Sequence, residues 1–297
     1  MPRMPQKAGR RHTPNIPPKF TASKKTIVWL ASYPKSGNTW TRLVLANYLM
    51  NREEPLSIND ITKFCTGDAS ANAYERVGGP GFDKLHPTQH LQYRDLVLGQ
   101  ISANGADVNF VKSHNMNMPI FNVPLFSPNM TRAATYIVRH PFDVTVSYAR
   151  HFGMTSSEAA RSICNLNNTT KAVGKNVKQF LSSWSNHVES WVTTKSFPVH
   201  VMRYEDMKKD PVRAFGGLIE ALDVSLDQDR LARALKFSAF EELQKQEMRD
   251  GFVEASQNTE RFFHTGGSGQ WQDVLTKEDQ DLIRQANGPM MAKFGYE

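Results

Sequence analysis

The chain has 297 residues, of which 39% are hydrophobic and 22% are charged, a composition typical of a soluble globular protein. No apolar run approaches the roughly 18–20 residues that a membrane-spanning helix needs, and two cysteines, Cys65 and Cys164, do not make a disulfide framework. The composition therefore argues against a membrane-spanning or disulfide-stapled protein, and it favours a cytoplasmic one.

The net charge of +7 comes from the first 25 residues. They hold seven Lys or Arg residues and no Asp or Glu, so the other 29 of the 36 basic residues balance the 29 acidic ones. Five prolines in this stretch disfavour a continuous helix. We predict a basic, disordered arm over residues 1–25 and a single domain over residues 26–297. Nucleic-acid binding is not expected, because the arm lacks interleaved aromatic residues and the body is neutral. Contact between the arm and an acidic surface or membrane stays an alternative.

Strand and helix patterns alternate along the chain. Strands are predicted at residues 26–32, 108–112, 134–139 and 199–204, and helices at 39–50, 141–152, 177–194, 211–222, 227–237 and 277–294. Residues 115–131 contain three prolines and predict a long surface-crossing connection, and residues 251–275 predict an irregular segment. The alternation indicates a three-layer α/β fold with a central parallel sheet flanked by helices. Ligands bind such sheets at the carboxyl ends of the strands.

The first strand leads into "YPKSGNTW", residues 33–40, which has the features of a phosphate-binding loop. Backbone N–H groups at the start of a helix attract an anion. Lys35 adds a charge, Ser36 and Thr39 add hydroxyl donors, and Gly37 lets the backbone approach the ligand. The Walker A pattern is absent because the lysine precedes the glycine, and no strand ends in a Walker B aspartate. We therefore expect a phosphorylated ligand without metal-bound ATP. The alternatives are an ordinary strand-to-helix turn and, for Trp40, a core position instead of base stacking.

Two further strand ends carry chemistry-bearing side chains. Lys112 and His114 alternate along a strand and so point to the same side. A lone histidine is more often structural, but beside a phosphate loop this one is a candidate general base. Arg139 ends the next strand and suits a bidentate phosphate contact, with Ser147 about two turns into the following helix. Arg139 as a structural ion-pair partner is the alternative.

These motifs resemble those of the cytosolic-type sulfotransferases. "YPKSGNTW" is similar to their 5′-phosphosulfate loop YPKSGTTW, with Asn38 in place of a threonine. "NFVKSHN", residues 109–115, resembles their K-T-H segment, whose histidine is the general base. "YIVRHPFDVTVSYARHF", residues 136–152, resembles RNPKDVAVSYYHF, whose arginine and serine hold a 3′-phosphate; His140 and Phe142 replace an asparagine and a lysine. The resemblance covers residues 26–296.

Three later segments extend the resemblance. In residues 201–211, Tyr204 matches a position that contacts the nucleotide, and in residues 237–243 Ser238 and Phe240 match nucleotide-binding positions. The resemblance implies that Phe240 and Trp40 sandwich an adenine. In residues 262–272, Gly266, Gly269 and Trp271 match, but His264 and Thr265 stand where an arginine and a lysine grip the 3′-phosphate. Each missing charge-assisted contact weakens nucleotide binding by about 1.5–3 kcal/mol unless another group replaces it.

The resemblance implies a transfer of a sulfuryl group from 3′-phosphoadenosine 5′-phosphosulfate (PAPS) to a hydroxyl, less often an amine, of a small-molecule or lipid acceptor. PAP, the 3′,5′-bisphosphate, is the product, and no metal is required. His114 removes the acceptor proton, Lys35 stabilises the leaving phosphate oxygen, and Lys112 stabilises the transferring group. Ser147 binds the 3′-phosphate and restrains Lys35.

Two other functions stay open, a P-loop kinase and a phosphoadenosine-binding regulatory protein without transferase activity. The family's dimer motif KxxxTVxxxE is not matched after Trp271, so a homodimer is possible but is not inferred. The sequence does not identify the acceptor.

Overall fold

The structure is a computed structural model that describes residues 25–79, 88–172, 176–264 and 266–296. The predicted arm, apart from Lys25, and the predicted site residue Thr265 lie outside the described residues, so the predictions for them stay untested.

The described residues form a parallel sheet of five strands in the order β2-β3-β1-β4-β5. The strands are Ile27–Ser32 (β1), Cys65–Gly67 (β2), Asn109–Ser113 (β3), Thr131–Val138 (β4) and Val199–Arg203 (β5). The predicted α/β class with a central parallel sheet is confirmed. The prediction missed β2, because three residues are too short for an alternating pattern.

Helices cover both faces of the sheet, which gives the three layers. They are Asn38–Met50 (α1), Ile61–Phe64 (α2), Ala71–Gly78 (α3), Arg94–Ser102 (α4), Pro141–Phe152 (α5), Ser156–Cys164 (α6), Trp184–Val192 (α7), Tyr204–Lys209 (α8), Pro211–Ala221 (α9), Gln228–Phe237 (α10), Phe240–Asp250 (α11) and Lys277–Lys293 (α12). Short 3₁₀ turns lie at Ile58–Asp60, Gln89–Tyr93 and Gln270–Asp273. No helix in the described parts of the chain is long and apolar enough to cross a membrane.

Neighbouring residues of β1 point into two different cores. Trp29 and Ala31 pack in the larger core, which α5, α6, α7 and α12 cover, whereas Leu30 packs in the core beneath α1, α9 and α10. The strands are therefore buried on both faces, which explains why they appear in the sequence as continuous apolar runs.

Two sequence predictions are wrong in detail. The helix predicted at 177–194 begins only at Trp184, where Ser183 caps it by accepting a hydrogen bond from the Asn186 N–H. The chain before it is irregular: the N–H groups of Val177 and Leu181 donate to the carbonyls of Ala69 and Asn168. Apolar residues at helical spacing are buried here, but cross-chain bonds hold the backbone.

The predicted surface connection at 115–131 is also partly wrong. Leu125, Phe126 and Met130 are buried in the larger core, and β4 already begins at Thr131. The three prolines exclude a helix from this segment, but they do not keep its apolar residues at the surface.

Candidate active site

The carboxyl ends of β1, β3, β4 and β5 lie level with one another at one edge of the sheet. Ala31 pairs with Ser113 on one side and Tyr136 on the other, and Val138 pairs with Arg203. The residues that follow these strand ends therefore meet, and they include the loop at 33–37, His114, Arg139 and Tyr204. The strand order reverses at β1, which is where ligands bind in open α/β sheets.

The loop after β1 needs a glycine at its turn. Gly37 has φ 104°, and a Cβ built on it would lie 2.6 Å from a carbon of the Tyr204 ring. Lys35 also has a positive φ, 71°, which is unusual for a lysine. The loop is thus a tightly specified turn that presents backbone N–H groups at the start of α1.

Some side chains of this loop hold it in place, whereas others carry buried polar atoms that have no partner among the described residues. Asn38 donates from Nδ2 to the Leu30 carbonyl at 2.8 Å, which ties the loop to β1. Thr39 accepts at Oγ1 from Arg42 and so keeps its hydroxyl proton for another acceptor. Ser36 Oγ and Arg139 Nε are buried donors for which the described residues provide no partner. Buried polar atoms are normally satisfied, so these two fit an anionic ligand bound at the loop.

The Lys35 ammonium lies in a crowded, cationic environment. Its Nζ stands 4.1 Å from the centre of the Phe262 ring. Burial, followed by the charges of Lys112 and Arg139, lowers the pKa of Lys35 to about 7. Several positive charges in a desolvated cleft repel one another, and an anion would relieve that repulsion.

His114 is held in one tautomer. Its Nδ1 lies 2.9 Å from the Ser32 carbonyl oxygen, and because a carbonyl only accepts, Nδ1 carries the proton. Nε2 is then the basic nitrogen. Burial, with the charge of Lys112, shifts the pKa of His114 well below its usual value. The imidazole is therefore neutral near pH 7, the form that a general base needs.

A second histidine, which the sequence analysis missed, holds the backbone of His114 in place. His187 on α7 has Nε2 3.0 Å from the carbonyl oxygen of His114, and its Nδ1 lies 2.8 Å from the Tyr136 hydroxyl. His187 thus donates to the His114 carbonyl and accepts from Tyr136. Burial lowers the pKa of His187 to about 4. Helical spacing placed this residue on a buried face, but no local pattern indicates its partner.

Arg139 links two loops. Its Nη1 donates to the Lys35 carbonyl at 3.0 Å and its Nη2 to the Gly267 carbonyl at 2.9 Å. The guanidinium also lies over the Tyr204 ring, 4.4 Å from the ring centre. Tyr204 in turn donates its hydroxyl to the Gly266 carbonyl. The loop after β1 and the glycine-rich segment near 266 are thereby joined around one cation.

Asp143 on α5 anchors the same glycine-rich segment. Both of its carboxylate oxygens accept from the Gly269 N–H at 3.0 Å. The sequence analysis did not single out this buried residue, because its partner lies 126 positions further along the chain.

The structure brings Lys35, Lys112, His114, Arg139 and Tyr204 together at the carboxyl ends of the strands, but other predicted residues differ. Ser147 is half-buried, whereas Ser238 is fully buried and bonded to Asn47. Phe240 packs against Gly266, where a Cβ would lie 2.7 Å from its ring. Trp40 makes edge contacts with Tyr204 and Phe215. The adenine sandwich stays a prediction.

The position predicted to grip the 3′-phosphate opens to solvent. His264 is exposed, and it lines a surface cleft of about 540 Å³ together with Arg150 and Arg261. Two arginines therefore stand in the neighbourhood from which the sequence lacks an arginine and a lysine.

Lys112 is already paired with a residue that the sequence analysis did not select. Its Nζ donates to Glu254 Oε2 at 3.0 Å, and Arg42 binds the same carboxylate through both terminal nitrogens.

Within the described residues, no group of three or more His, Cys, Asp or Glu side chains is arranged to hold a metal ion.

Comparison with known proteins shows similarity over almost the whole chain. The family model described as "Sulfotransferase domain" matches residues 25–295. Sulfotransferase 2A1 of Rattus norvegicus is 26% identical over 94% of this chain and 89% of its own length. Luciferin sulfotransferase of Photinus pyralis is 26% identical over 72% of this chain and 55% of its own length.

Two solved structures share the fold. Mouse sulfotransferase SULT7A1 complexed with PAP aligns with a TM-score of 0.57 and 17% identity, over 90% of this chain and 84% of that one. Retinol dehydratase in complex with androsterone and inactive cofactor PAP aligns with a TM-score of 0.61 and 16% identity, over 92% and 83%.

Proposed function

The chain belongs to the sulfotransferase domain family, and we propose that it transfers a sulfuryl group from PAPS to a hydroxyl of a small-molecule or lipid acceptor. The observation that carries this proposal is the bond from His114 to Ser32, which holds a neutral imidazole beside the phosphate loop. A protein that only bound a nucleotide would have no need of a base there.

PAPS, the proposed sulfuryl donor, suits the hydrogen-bonding and charged groups of this site. The loop N–H groups, Lys35 and the unpartnered Ser36 hydroxyl would hold the 5′-phosphosulfate. Arg139 and Ser147 would hold the 3′-phosphate. Arg150 and Arg261, which line the separate surface cleft of about 540 Å³ with His264, would supply the charge that the segment at 262–272 lacks. Two solved neighbours named as PAP complexes support this choice of donor.

PAPS supplies an activated sulfuryl group whose leaving group is a phosphate oxygen. His114 Nε2 takes the proton of the acceptor hydroxyl as its oxygen forms the new O–S bond. Lys35 would stabilise the phosphate oxygen that leaves as the old S–O bond breaks, and Lys112 would stabilise the oxygens of the transferring group. These residues act by positioning and by charge stabilisation, as in phosphoryl transfer.

We propose a small apolar alcohol as the acceptor. Two solved neighbours are complexes of retinol dehydratase, one with androsterone and one with retinol, and both of these ligands are alcohols. Ala149 and Met154 give apolar surface to the surface cleft that Arg150 and His264 line. We also propose that the protein works in the cytoplasm, since Cys65 and Cys164 are both free thiols, as a reducing compartment maintains them.

The test is transfer of label from ³⁵S-PAPS to a panel of steroid alcohols, retinoids, phenols and amines. We expect labelled product from at least one alcohol, and His114→Ala should lower turnover by about 10²–10⁴-fold with PAP affinity nearly unchanged. Binding of PAP with no product from any acceptor would replace the proposal with a regulatory nucleotide-binding role. Magnesium-dependent ATP turnover would indicate a kinase.

A further inference from the structure

Glu254 lies in the irregular segment at 251–264 that follows α11, and this segment is fixed at both ends. Asn59 bonds it twice, donating to the Gly251 carbonyl at 3.2 Å and accepting from the Val253 N–H at 2.9 Å. At the far end, Glu247 accepts from the N–H groups of Phe262 and Phe263. The position of the Glu254 carboxylate is therefore set by the fold.

The Glu254 carboxylate binds two cations at once. Arg42, whose side chain is fully buried, reaches Oε1 at 2.9 Å and Oε2 at 2.6 Å. Lys112 Nζ reaches Oε2 at 3.0 Å. A carboxylate has about four acceptor sites and a bidentate arginine takes two of them, so Oε2 can hold Lys112 in addition to Arg42. An ammonium has three N–H donors, and the part of the chain that the structure describes provides no partner for the other two.

The surroundings of Lys112 disfavour its protonated, charged form. The groups that face it are Arg42 from α1, Cys65 from β2, Lys35 from the phosphate loop, His114 after β3, His151 from α5, and Glu254. Burial lowers the pKa of Lys112, the charge of Glu254 raises it, and that of Arg42 lowers it again; the net direction is downward. Glu254 is the one carboxylate among these neighbours.

We propose that Glu254 is a positioning residue for the sulfuryl-transfer step, which keeps Lys112 protonated and aimed into the cleft. This inference rests on the proposed function of the cleft. Arg42 holds the carboxylate in place, one oxygen of the carboxylate holds the ammonium, and the other ammonium protons would donate to the sulfuryl oxygens. Both Arg42 and Glu254 lie outside the motifs on which the sequence analysis relied.

The first test measures the protonation of Lys112 in the free protein. Lysine labelled with ¹³C at Cε gives an NMR resonance that reports the charge of the ammonium, and the resonance missing from Lys112→Arg identifies Lys112. In Glu254→Gln, we expect the titration midpoint of this resonance to fall by roughly one pH unit or more. An unchanged midpoint would overturn the proposal.

Two further variants control for misfolding and for the direction in which each charge moves the titration midpoint of Lys112. Glu254→Gln leaves Arg42 as a buried, unpaired cation, which can prevent folding. The double variant Arg42→Met with Glu254→Gln removes both charges, and the midpoint should still fall. Arg42→Met alone removes a repelling charge, so the midpoint should rise. A fall in this single variant would contradict the assigned balance of charges.

Kinetics provide the second test. In Glu254→Gln, the alkaline limb of the kcat profile should move to lower pH. In a Lys112→Arg background the same substitution should move that limb much less, because arginine does not lose its proton and only the weaker effect of Glu254 on Lys35 remains. A shift of undiminished size in that background belongs to Lys35 and would overturn the proposal. If the wild-type protein transfers no sulfuryl group, the proposed function fails, whereas the NMR result still decides whether Glu254 controls Lys112.

Discussion

His187 Nε2 lies 3.0 Å from the carbonyl oxygen of His114, and this bond fixes the backbone of the candidate base. The side chain of His114 is fixed separately, through Nδ1 and the Ser32 carbonyl. The position of the His114 imidazole therefore depends on His187 and on the end of β1. Of these groups, only His114 itself would touch the acceptor.

Replacing His187 tests this support. In His187→Ala the His114 carbonyl loses its donor and the Tyr136 hydroxyl loses its acceptor. We expect kcat to fall by about 10–100-fold because the base is displaced, with little change in PAP affinity by calorimetry. His187→Gln can still donate and should recover part of the loss. His200→Ala, on β5, is the matched control and should behave as wild type. Equal loss in nucleotide binding would mean that His187 supports the whole fold instead.

Arg139→Lys separates charge from geometry. Lysine keeps the positive charge but does not bridge the Lys35 and Gly267 carbonyls in the way the guanidinium does. We expect PAP affinity to fall by about 10–100-fold, from the loss of one or two charge-assisted bonds. The loss should be smaller for AMP, which lacks the 3′-phosphate. The exposed Arg132 on β4 provides the control, Arg132→Lys. Equal losses for PAP and AMP would remove the assignment of Arg139 to the 3′-phosphate.

The pKa of Lys35 predicts proton uptake when PAP binds. Burial, Lys112 and Arg139 lower this pKa to about 7, so the side chain is largely neutral at pH 8 and charged at pH 6. A bound phosphate favours the charged form and raises the pKa. Calorimetry in buffers of different ionisation enthalpy should therefore detect uptake at pH 8 and almost none at pH 6. PAP affinity should weaken as the pH rises above 7.

Lys35→Arg is the control for this linkage, because arginine stays protonated at both pH values. Uptake at pH 8 should disappear in this variant. If it persists undiminished, another group, such as Lys112, takes up the proton.

A buried ion pair next to His114 predicts a large effect on stability. Asp68 binds Arg94 at 2.7 Å, and it also accepts from Ser113 and Asn115, the two neighbours of His114. Asp68→Ala leaves the buried Arg94 unpaired, and the free energy of unfolding should fall by about 3–5 kcal/mol in urea titrations.

Two comparisons make this effect specific. Asp68→Ala with Arg94→Met should lose much less stability than Asp68→Ala, since no buried charge remains. Asp60→Ala breaks the exposed pair with Lys63 and should change stability by only about 0–1 kcal/mol. A loss below about 1 kcal/mol in Asp68→Ala would show that Arg94 finds another partner.

Local signals in the sequence determined much of the fold. Asp210 caps α9 by accepting from the Arg213 N–H, and Pro211 occupies its first turn, so this helix begins where it was predicted. β1 and the loop at 33–37 followed from an apolar run and a lysine–glycine turn. Parallel strands bring their carboxyl ends together, which made the cluster of Lys35, His114 and Arg139 predictable without coordinates.

Only the tertiary structure decided which residues support that cluster. Arg42 and Glu254 are 212 positions apart, and their bond depends on how the segment at 251–264 lies over α1. The tautomer of His114 depends on a carbonyl of another strand, and the irregular chain before α7 is held by bonds from Val177 to Ala69 and from Leu181 to Asn168. Propensity and periodicity act over a few residues, whereas these contacts depend on the path of the whole chain.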